Sequence, residues 1–221
     1  MDTLKHLFLS RFKTFVLVSV SMLFSIILLM IRMHLTHSFF YLFLVWNLFL
    51  AAIPFAITTY LLSFPKPNVW WLVLCFGIWL LFLPNAPYII TDLLHLKMGN
   101  TSLLWLDVLV VLSFASSGLL LFFLSVLDMK HILKQYLSTF EIKYLIFSLF
   151  FLNGFGVYLG RFLRYNSWEV LSNPKYVFED IFDIVTQPFY NQEAWLFTLI
   201  FGAFLGIGFW VFRNLYAQQP T

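Results

Sequence analysis

The chain has 221 residues, of which 62% are hydrophobic, 21% aromatic and only 10% charged, and its mean hydropathy is +0.89. Soluble domains carry about 25% charged residues, so this composition excludes a soluble protein and indicates one all-α transmembrane domain over residues 1–221, with the lipid bilayer as its partner. The net charge is +3, and the sequence has no run of Lys and Arg with interleaved aromatic residues, which argues against nucleic-acid binding. Positive residues in the loops beside a membrane account for this charge.

Charged residues separate the apolar runs and predict about six transmembrane helices, because about 20 apolar residues cross a bilayer. The first follows a basic lead without a cleavage site, so we expect it to be retained. Between the spans we expect two interfacial amphipathic helices, a basic one over Asp128–Phe140 and an acidic one from Asn173-Pro174. The expected spans lie between Lys13 and Arg32, over Phe39–Leu62, from Val69 with a break, over Ser102–Leu127 and Glu141–Tyr165, and between Glu193 and Arg213.

The third span contains the most informative stretch of the chain. From Val69 to Leu96 a continuous helix would be about 42 Å long, at about 1.5 Å per residue, which exceeds the roughly 30 Å of the hydrocarbon core. Pro84 and Pro87 fall where the span should end, and Asn85 is a favourable N-cap. We therefore predict a helix to Leu83, a break, and a short second helix over Ala86–Leu96. Its residues Tyr88, Thr91, Asp92 and His95 share one face.

Topology predicts that the polar residues of several spans meet at one membrane face. The ends of the third and fifth spans, the start of the fourth and the long loop after the fifth share that face. Ionised groups near hydrocarbon either pair or line a wet cavity, so we predict one outward-facing polar pocket. Its candidate catalytic residues are Asp92, His95 and Asp107, and its candidate ligand-binding residues are Asn85, Tyr88, Arg161, Arg164 and Asn166.

Three interpretations of this cluster stay open at the level of sequence. Asp107 with Arg161 or Arg164 forms a buried ion pair that only fixes helix register. Alternatively, Asp92 and His95, with Asp107 as a third ligand, hold a divalent metal. In the third interpretation, the two arginines bind a phosphate or carboxylate head group. The sequence itself names no cofactor, and Cys75 as the only cysteine leaves no CxxC site.

Small residues and one amide within the spans predict helix packing and not chemistry. Glycines spaced by four residues allow two helix backbones to approach closely. Asn47 in the second span is expected to form an interhelical hydrogen bond. The packing residues are the stretch Ser113–Gly118, the pair Gly156 and Gly160, and the pair Gly202 and Gly206.

Positive charge predicts that both termini are cytoplasmic. With the N-terminus inside, the inner loops hold more Lys and Arg than the outer loops, as the positive-inside rule requires. The inner residues are Lys5, Arg11, Lys13, Lys66, Lys130, Lys134, Lys143 and Arg213, and the outer ones are Arg32, Lys97, Arg161, Arg164 and Lys175.

Two stretches resemble a known family. Residues 83–95 read LPNAPYIITDLLH and residues 156–168 read GVYLGRFLRYNSW. Both resemble the characteristic stretches of the bacterial integral-membrane family catalogued as domain of unknown function 1361, and the resemblance extends over essentially the whole chain. It implies a multipass protein of the bacterial cytoplasmic membrane and brings no activity with it.

Three functions are therefore compared. The first is a membrane enzyme or binding protein for an anionic or lipid head-group ligand, with Asp92 or Asp107 as acid/base, His95 as proton partner, and the arginines as anion contacts. The second is a small transporter or channel, since broken helices form transporter sites. The third is a structural membrane protein whose polar cluster only fixes the fold.

Overall fold

The computed structural model describes residues 11–98 and 103–217, and every regular element within them is a helix. The prediction of an all-α bundle is confirmed. A 3-10 helix, Phe40–Leu42, precedes α2, and a second, Ile89–Met98, continues α4. The α-helices are α1 Phe12–Thr36, α2 Phe43–Leu62, α3 Val69–Phe82, α4 Asn85–Tyr88, α5 Leu104–Leu133, α6 Thr139–Arg161, α7 Glu169–Ser172, α8 Pro174–Thr186 and α9 Gln192–Ala217.

Six helical segments in the described residues are long and apolar enough to cross a membrane. Five of them are α1, α2 with its 3-10 lead, α5, α6 and α9, and the sixth is the composite segment Val69–Leu96. Large apolar side chains stand exposed along them, for example Val20 and Ile207 at 60% and 65% exposure. Such surfaces require a lipid environment, so the chain is a multipass membrane protein.

The described chain falls into two compact units, Met1–Gln135 and Tyr136–Thr221. In the first unit α5 is the central helix, packed against α1, α2, α4 and the second 3-10 helix, and it is the most buried of the six spans. In the second unit α6 packs against α9. The single domain expected from the sequence stays a prediction.

Two ion pairs join α1 to α5 at opposite ends of these antiparallel helices. Arg32 Nε lies 2.9 Å from Asp107 Oδ1, and Arg11 Nη2 lies 2.8 Å from Asp128 Oδ2. Midway between them, the Ser117 hydroxyl lies within hydrogen-bond distance of the hydroxyls of Ser21 and Ser25 on α1. The sequence analysis placed Arg32 beyond the first span, whereas α1 continues through it to Thr36 because Asp107 balances its charge.

The basic interfacial helix predicted over Asp128–Phe140 is wrong as a separate element. Helix α5 continues to Leu133, and Met129 and Ile132 are buried in the first unit. Helix α6 then begins after a capping box, in which the Ser138 hydroxyl accepts from the Glu141 N–H while the Glu141 carboxylate accepts from the Ser138 N–H. The basic residues of the segment therefore belong to the last turn of a transmembrane helix and the turn that follows it.

Glycine brings α6 and α9 into close contact in the second unit. A Cβ placed on Gly154 would lie 2.8 Å from the Thr198 carbonyl oxygen, and one on Gly202 would lie 2.8 Å from Phe151 Cδ1. Gly202 was predicted as a packing residue, but its partner region contains Gly154, which the sequence analysis did not single out. Which glycine of α6 forms the contact depends on the side of α6 that faces α9. The four-residue spacing of glycines in the sequence does not define that side.

Candidate functional site

The predicted break in the third span is present, and prolines cause it. Helix α3 ends at Phe82, and helical structure resumes at Asn85 after Pro84, which has no N–H to donate. The Ala86 N–H bonds to the Leu83 carbonyl, so it does not serve the Phe82 carbonyl. The Asn85 side-chain amide donates to that Phe82 carbonyl at 2.9 Å. Asn85 therefore completes the end of α3. The prediction that Asn85 is the N-cap of the next helix is wrong, because that position is held by Pro84.

After the break, the chain packs tightly on α5. A Cβ on Gly118 would overlap the Ala86 carbonyl oxygen and lie 3.2 Å from Ile89 Cδ1. The segment then continues as a ten-residue 3-10 helix, Ile89–Met98, in place of the α-helix expected over Ala86–Leu96. Runs of 3-10 helix longer than about four residues are uncommon. The small-residue stretch of α5 was correctly predicted to pack closely, and its partner is the broken segment.

Asp107 belongs to a buried ion pair with Arg32. Its side chain is 2% exposed and that of Arg32 is 4% exposed. Arg32 also donates from Nη1 to the Ser38 carbonyl at 2.9 Å, and its guanidinium carbon lies 4.7 Å from the centre of the Tyr41 ring. Tyr41 is fully buried, and its hydroxyl lies 3.5 Å from Asp107 Oδ2, at the outer limit of a hydrogen bond. These contacts give both oxygens of the Asp107 carboxylate a partner within the first unit.

Asp92 is buried next to a histidine that is partly exposed. The carboxylate is 1% exposed, and its Oδ2 accepts a hydrogen bond from Asn47 Nδ2 at 2.9 Å. The predicted interhelical role of Asn47 is thereby confirmed. The other oxygen, Oδ1, lies 3.7 Å from His95 Nδ1, and the His95 side chain is 30% exposed. Since Nδ1 itself is buried, the exposed part of the imidazole consists of its other atoms.

Aromatic rings separate this pair from the Asp107 ion pair. The His95 ring lies 5.2 Å from Phe43 and 6.4 Å from Phe40, between ring centres, and Tyr41 contacts both phenylalanines. In the described part of the chain, no three His, Cys, Asp or Glu side chains form a group that could hold a metal ion. Asp92, His95 and Asp107 thus do not form the three-ligand site considered from the sequence.

Of the remaining candidates, Tyr88 ends α4 in the first unit and is partly buried, and the other three lie in the second unit. Arg161 is the last residue of α6 and is partly buried, and Arg164 is exposed in a left-handed conformation with φ of 64°. That conformation strains a residue other than glycine. Asn166 is exposed, and its side-chain amide donates to Glu169 Oε1 at 2.7 Å. One pocket shared by these residues with Asp92 and His95 stays a prediction.

One phenol of the long loop has a perturbed pKa. The Tyr165 hydroxyl donates to Asp180 Oδ2 at 2.7 Å, which ties the end of α6 to α8. This hydrogen bond, reinforced by desolvation and by the negative charge of Asp180, raises the pKa of Tyr165 from 10.0 to about 12. Tyr165 therefore stays a neutral hydrogen-bond donor across the physiological pH range.

The sequence analysis missed Arg32 and Tyr41, although a signal for Arg32 was present. Arg11 and Arg32 are 21 residues apart, as are Asp107 and Asp128. On two antiparallel helices, two positive and two negative charges with the same spacing can form both ion pairs at the same time. At about 1.5 Å per residue, 21 residues separate the two pairs by about 31 Å. No comparable signal marks Tyr41, whose neighbours are also aromatic.

Chemically, the Asp92–His95 pair can hold and transfer a proton. A buried carboxylate facing one imidazole nitrogen favours a proton on that nitrogen and leaves the other free as base or acid. The distance of 3.7 Å exceeds a hydrogen bond, but acid/base contacts of this kind commonly tighten only when a ligand is bound. Asp107 instead pairs with the guanidinium of Arg32, which stays charged and does not exchange a proton.

Comparison with known proteins gives a family but no activity. A family model described as "Protein of unknown function (DUF1361)" matches residues 46–207. These residues include the broken third span, the Asp92–His95 pair and the end of α6. No curated protein matches the chain, and no solved structure matches it.

Proposed function

The chain belongs to the family described as protein of unknown function (DUF1361), and we propose that it binds or processes an anionic or lipid head-group ligand at the membrane surface. The observation that carries this proposal is the Asp92–His95 pair, a carboxylate 1% exposed that lies 3.7 Å from the Nδ1 of a partly exposed imidazole. A buried charge of this kind is costly in a membrane protein and commonly functional.

In this proposal the two residues have different roles. Asp92, fixed by Asn47, orients the imidazole, and His95 exchanges a proton with the ligand. In the second unit, Arg161 and Arg164 are proposed contacts for an anionic group, because guanidinium groups suit phosphate and carboxylate in geometry. Asn85 and Tyr88 are the proposed polar contacts beside Asp92 and His95, and Asn166 is the proposed polar contact beside the two arginines. Asp107 takes no part in the chemistry.

We further propose that the protein lies in the bacterial cytoplasmic membrane with both termini in the cytoplasm. The excess of Lys and Arg in the inner loops supports this orientation. It places the 3-10 helix that carries His95 at the outer surface of the membrane. The ligand would then be a head group of the outer leaflet.

The test is turnover of phosphatidylglycerol by the purified protein in nanodiscs, with lipid products detected by mass spectrometry and phosphatidylcholine as the neutral comparison. We expect Asp92→Ala and His95→Gln to lower turnover about 100-fold or more, in the range of acid/base catalysis. His34→Gln is the matched control, because His34 is an exposed histidine near the end of α1, on the same membrane face. Unchanged turnover in Asp92→Ala would contradict the enzymatic form of the proposal.

Arg164 allows a sharper test of anion binding. Arg164→Gly removes the guanidinium and relieves the backbone strain at φ of 64°, whereas Arg164→Ala removes the guanidinium and keeps the strain. If the side chain binds the anion, both variants lose phosphatidylglycerol binding equally. Loss in Arg164→Ala alone would assign the residue to the backbone turn.

Transport is the second candidate, and the break in the third span favours it. Pro84 interrupts the helix of the third span, and broken helices form transporter sites. Transport requires that His95 be reached from each side of the membrane in turn. Labelling of His95→Cys, on a Cys75→Ala background, by a membrane-impermeant thiol reagent from one side only, in proteoliposomes of known orientation, would exclude it.

A further inference from the structure

Helix α8 carries apolar side chains on two adjoining faces, and its own unit covers only one of them. Val177 and Ile184 are 2% and 4% exposed. Ile184 packs in one cluster with Tyr158 of α6 and Ala194 of α9, and Trp195 lies against the same cluster. The Trp195 indole N–H also donates to the Ile184 carbonyl at 3.1 Å. The covered face therefore fixes α8 to the ends of α6 and α9.

The second face consists of Phe178, Phe182 and Val185, and we call it the aromatic face of α8. These residues follow one another at intervals of four and three, so they lie on one side of the helix. They are 59%, 68% and 53% exposed. Just beyond the helix, Phe189 is 84% exposed. An exposed group of large apolar side chains marks a surface that contacts a membrane or another protein.

The contacts of the covered face set the level of α8 relative to the membrane. Tyr158 lies three residues before the end of α6, and Trp195 lies three residues after the start of α9. Both helices are transmembrane spans, so these residues mark the point where the spans meet the membrane surface. A helix that is held at Ile184 by both of them starts at that surface, which brings its aromatic face within reach of the boundary between acyl chains and head groups.

The charges on α8 itself do not favour attraction to anionic lipid as the cause of this placement. The polar side of α8 carries Glu179, Asp180 and Asp183, and its only basic residue is Lys175. Interfacial helices that rely on anionic lipids carry Lys and Arg on the polar side instead. The aromatic face must therefore bind through apolar contact alone.

We propose that α8 inserts its aromatic face into the boundary between head groups and acyl chains, and holds its acidic side in water. The sequence predicted an interfacial helix in this region, and the structure assigns the face that enters the lipid and the independence from lipid charge. This inference does not rest on the proposed function of the Asp92–His95 pair.

The test uses single-cysteine variants of the full chain on a Cys75→Ala background, reconstituted in nanodiscs and labelled with a bimane fluorophore. Val185→Cys reports on the aromatic face, and Glu179→Cys is the matched control on the polar side of the same helix. Both positions are exposed, so neither substitution removes a buried contact. Elution as a single peak in size-exclusion chromatography confirms that each variant is folded.

We expect nitroxide-labelled lipid to quench Val185→Cys several-fold more strongly than Glu179→Cys, and water-soluble iodide to give the reverse order. The result should be the same in phosphatidylcholine and in phosphatidylglycerol. Equal quenching of both positions by iodide would overturn the proposal. So would cross-linking of two copies through Val185→Cys, protection of that position from both quenchers, or insertion that requires phosphatidylglycerol.

Discussion

Two buried aspartates of the first unit differ in what surrounds their charge. Asp107 is balanced by a guanidinium that is itself held by a carbonyl and an aromatic ring. Asp92 instead accepts from a neutral amide and faces an imidazole. From the sequence, both carboxylates are candidate acid/base residues, and an ion pair is predicted for Asp107 alone, with Arg161 or Arg164 as its partner in place of Arg32. Their difference depends on side-chain partners that lie far apart in the chain.

The Arg32–Asp107 pair should be essential for stability. Asp107→Asn keeps the shape of the side chain but leaves the Arg32 charge buried without its counter-charge, so we expect a loss of about 3–5 kcal/mol. The measurement is the free energy of unfolding in mixed micelles with increasing dodecyl sulfate. Glu179→Gln is the control, because the Lys175–Glu179 pair is exposed and such pairs contribute about 0–1 kcal/mol. Equal effects of the two substitutions would refute the structural role of Asp107.

Tyr165 should give the protein a stability term that depends on alkaline pH. Its pKa rises from 10.0 to about 12 because the neutral phenol donates to Asp180. The contribution is therefore complete below pH 10 and is lost as the pH rises from 10 towards 12. The difference in tyrosinate absorbance between wild type and Tyr165→Phe should show one phenol titrating near pH 12. A difference curve centred near pH 10 would mean that the hydrogen bond is absent in solution.

At the level of elements, the broken third span depends on the close approach of its backbone to α5. The prolines made the break predictable, because they remove hydrogen-bond donors at fixed positions. The 3-10 conformation beyond it was not predictable. Ala86 and Ile89, at the start of this segment, pack tightly against Gly118. The periodicity of the sequence does not predict such a contact between segments far apart in the chain.

Substitution of Gly118 should therefore disturb the candidate site from a distance. In Gly118→Ala the new methyl group overlaps the Ala86 carbonyl oxygen, and we expect a loss of about 1–3 kcal/mol from overpacking. Gly77→Ala is the matched control, because a Cβ there meets nothing within 4 Å and should gain up to about 1 kcal/mol of helix propensity. Thermal unfolding of both variants in detergent is the measurement. A Gly118→Ala variant as stable as Gly77→Ala would rule out the tight contact.

Helix boundaries next to charged residues were the least accurately predicted from the sequence. The end of α2 at Leu62 and the third-span break were predicted closely, because turns and prolines define them locally. The ends of α1 and α5 were not, because Arg32 and Asp128 appeared as boundary charges. Both residues lie inside helices, where Arg32 pairs with Asp107 of α5 and Asp128 pairs with Arg11, the residue just before α1. A charge marks a helix boundary only when no partner neutralises it.

At the level of the whole molecule, function and stability are assigned to different polar groups. The two ion pairs between α1 and α5 stand about 31 Å apart along the helices, near the thickness of the hydrocarbon core. They hold the first unit together at its two ends. We propose that the Asp92–His95 pair serves chemistry at one of those ends, separate from the groups that stabilise the fold.

The most direct test measures ligand binding and stability on the same purified variants. Retention of phosphatidylglycerol is counted by native mass spectrometry, and the midpoint of thermal unfolding is recorded for wild type, His95→Gln and Asp107→Asn. We predict that His95→Gln keeps the wild-type midpoint and loses retained phosphatidylglycerol, whereas Asp107→Asn lowers the midpoint. Wild-type retention of phosphatidylglycerol by His95→Gln, or a loss that only follows a lowered midpoint, would contradict this proposal.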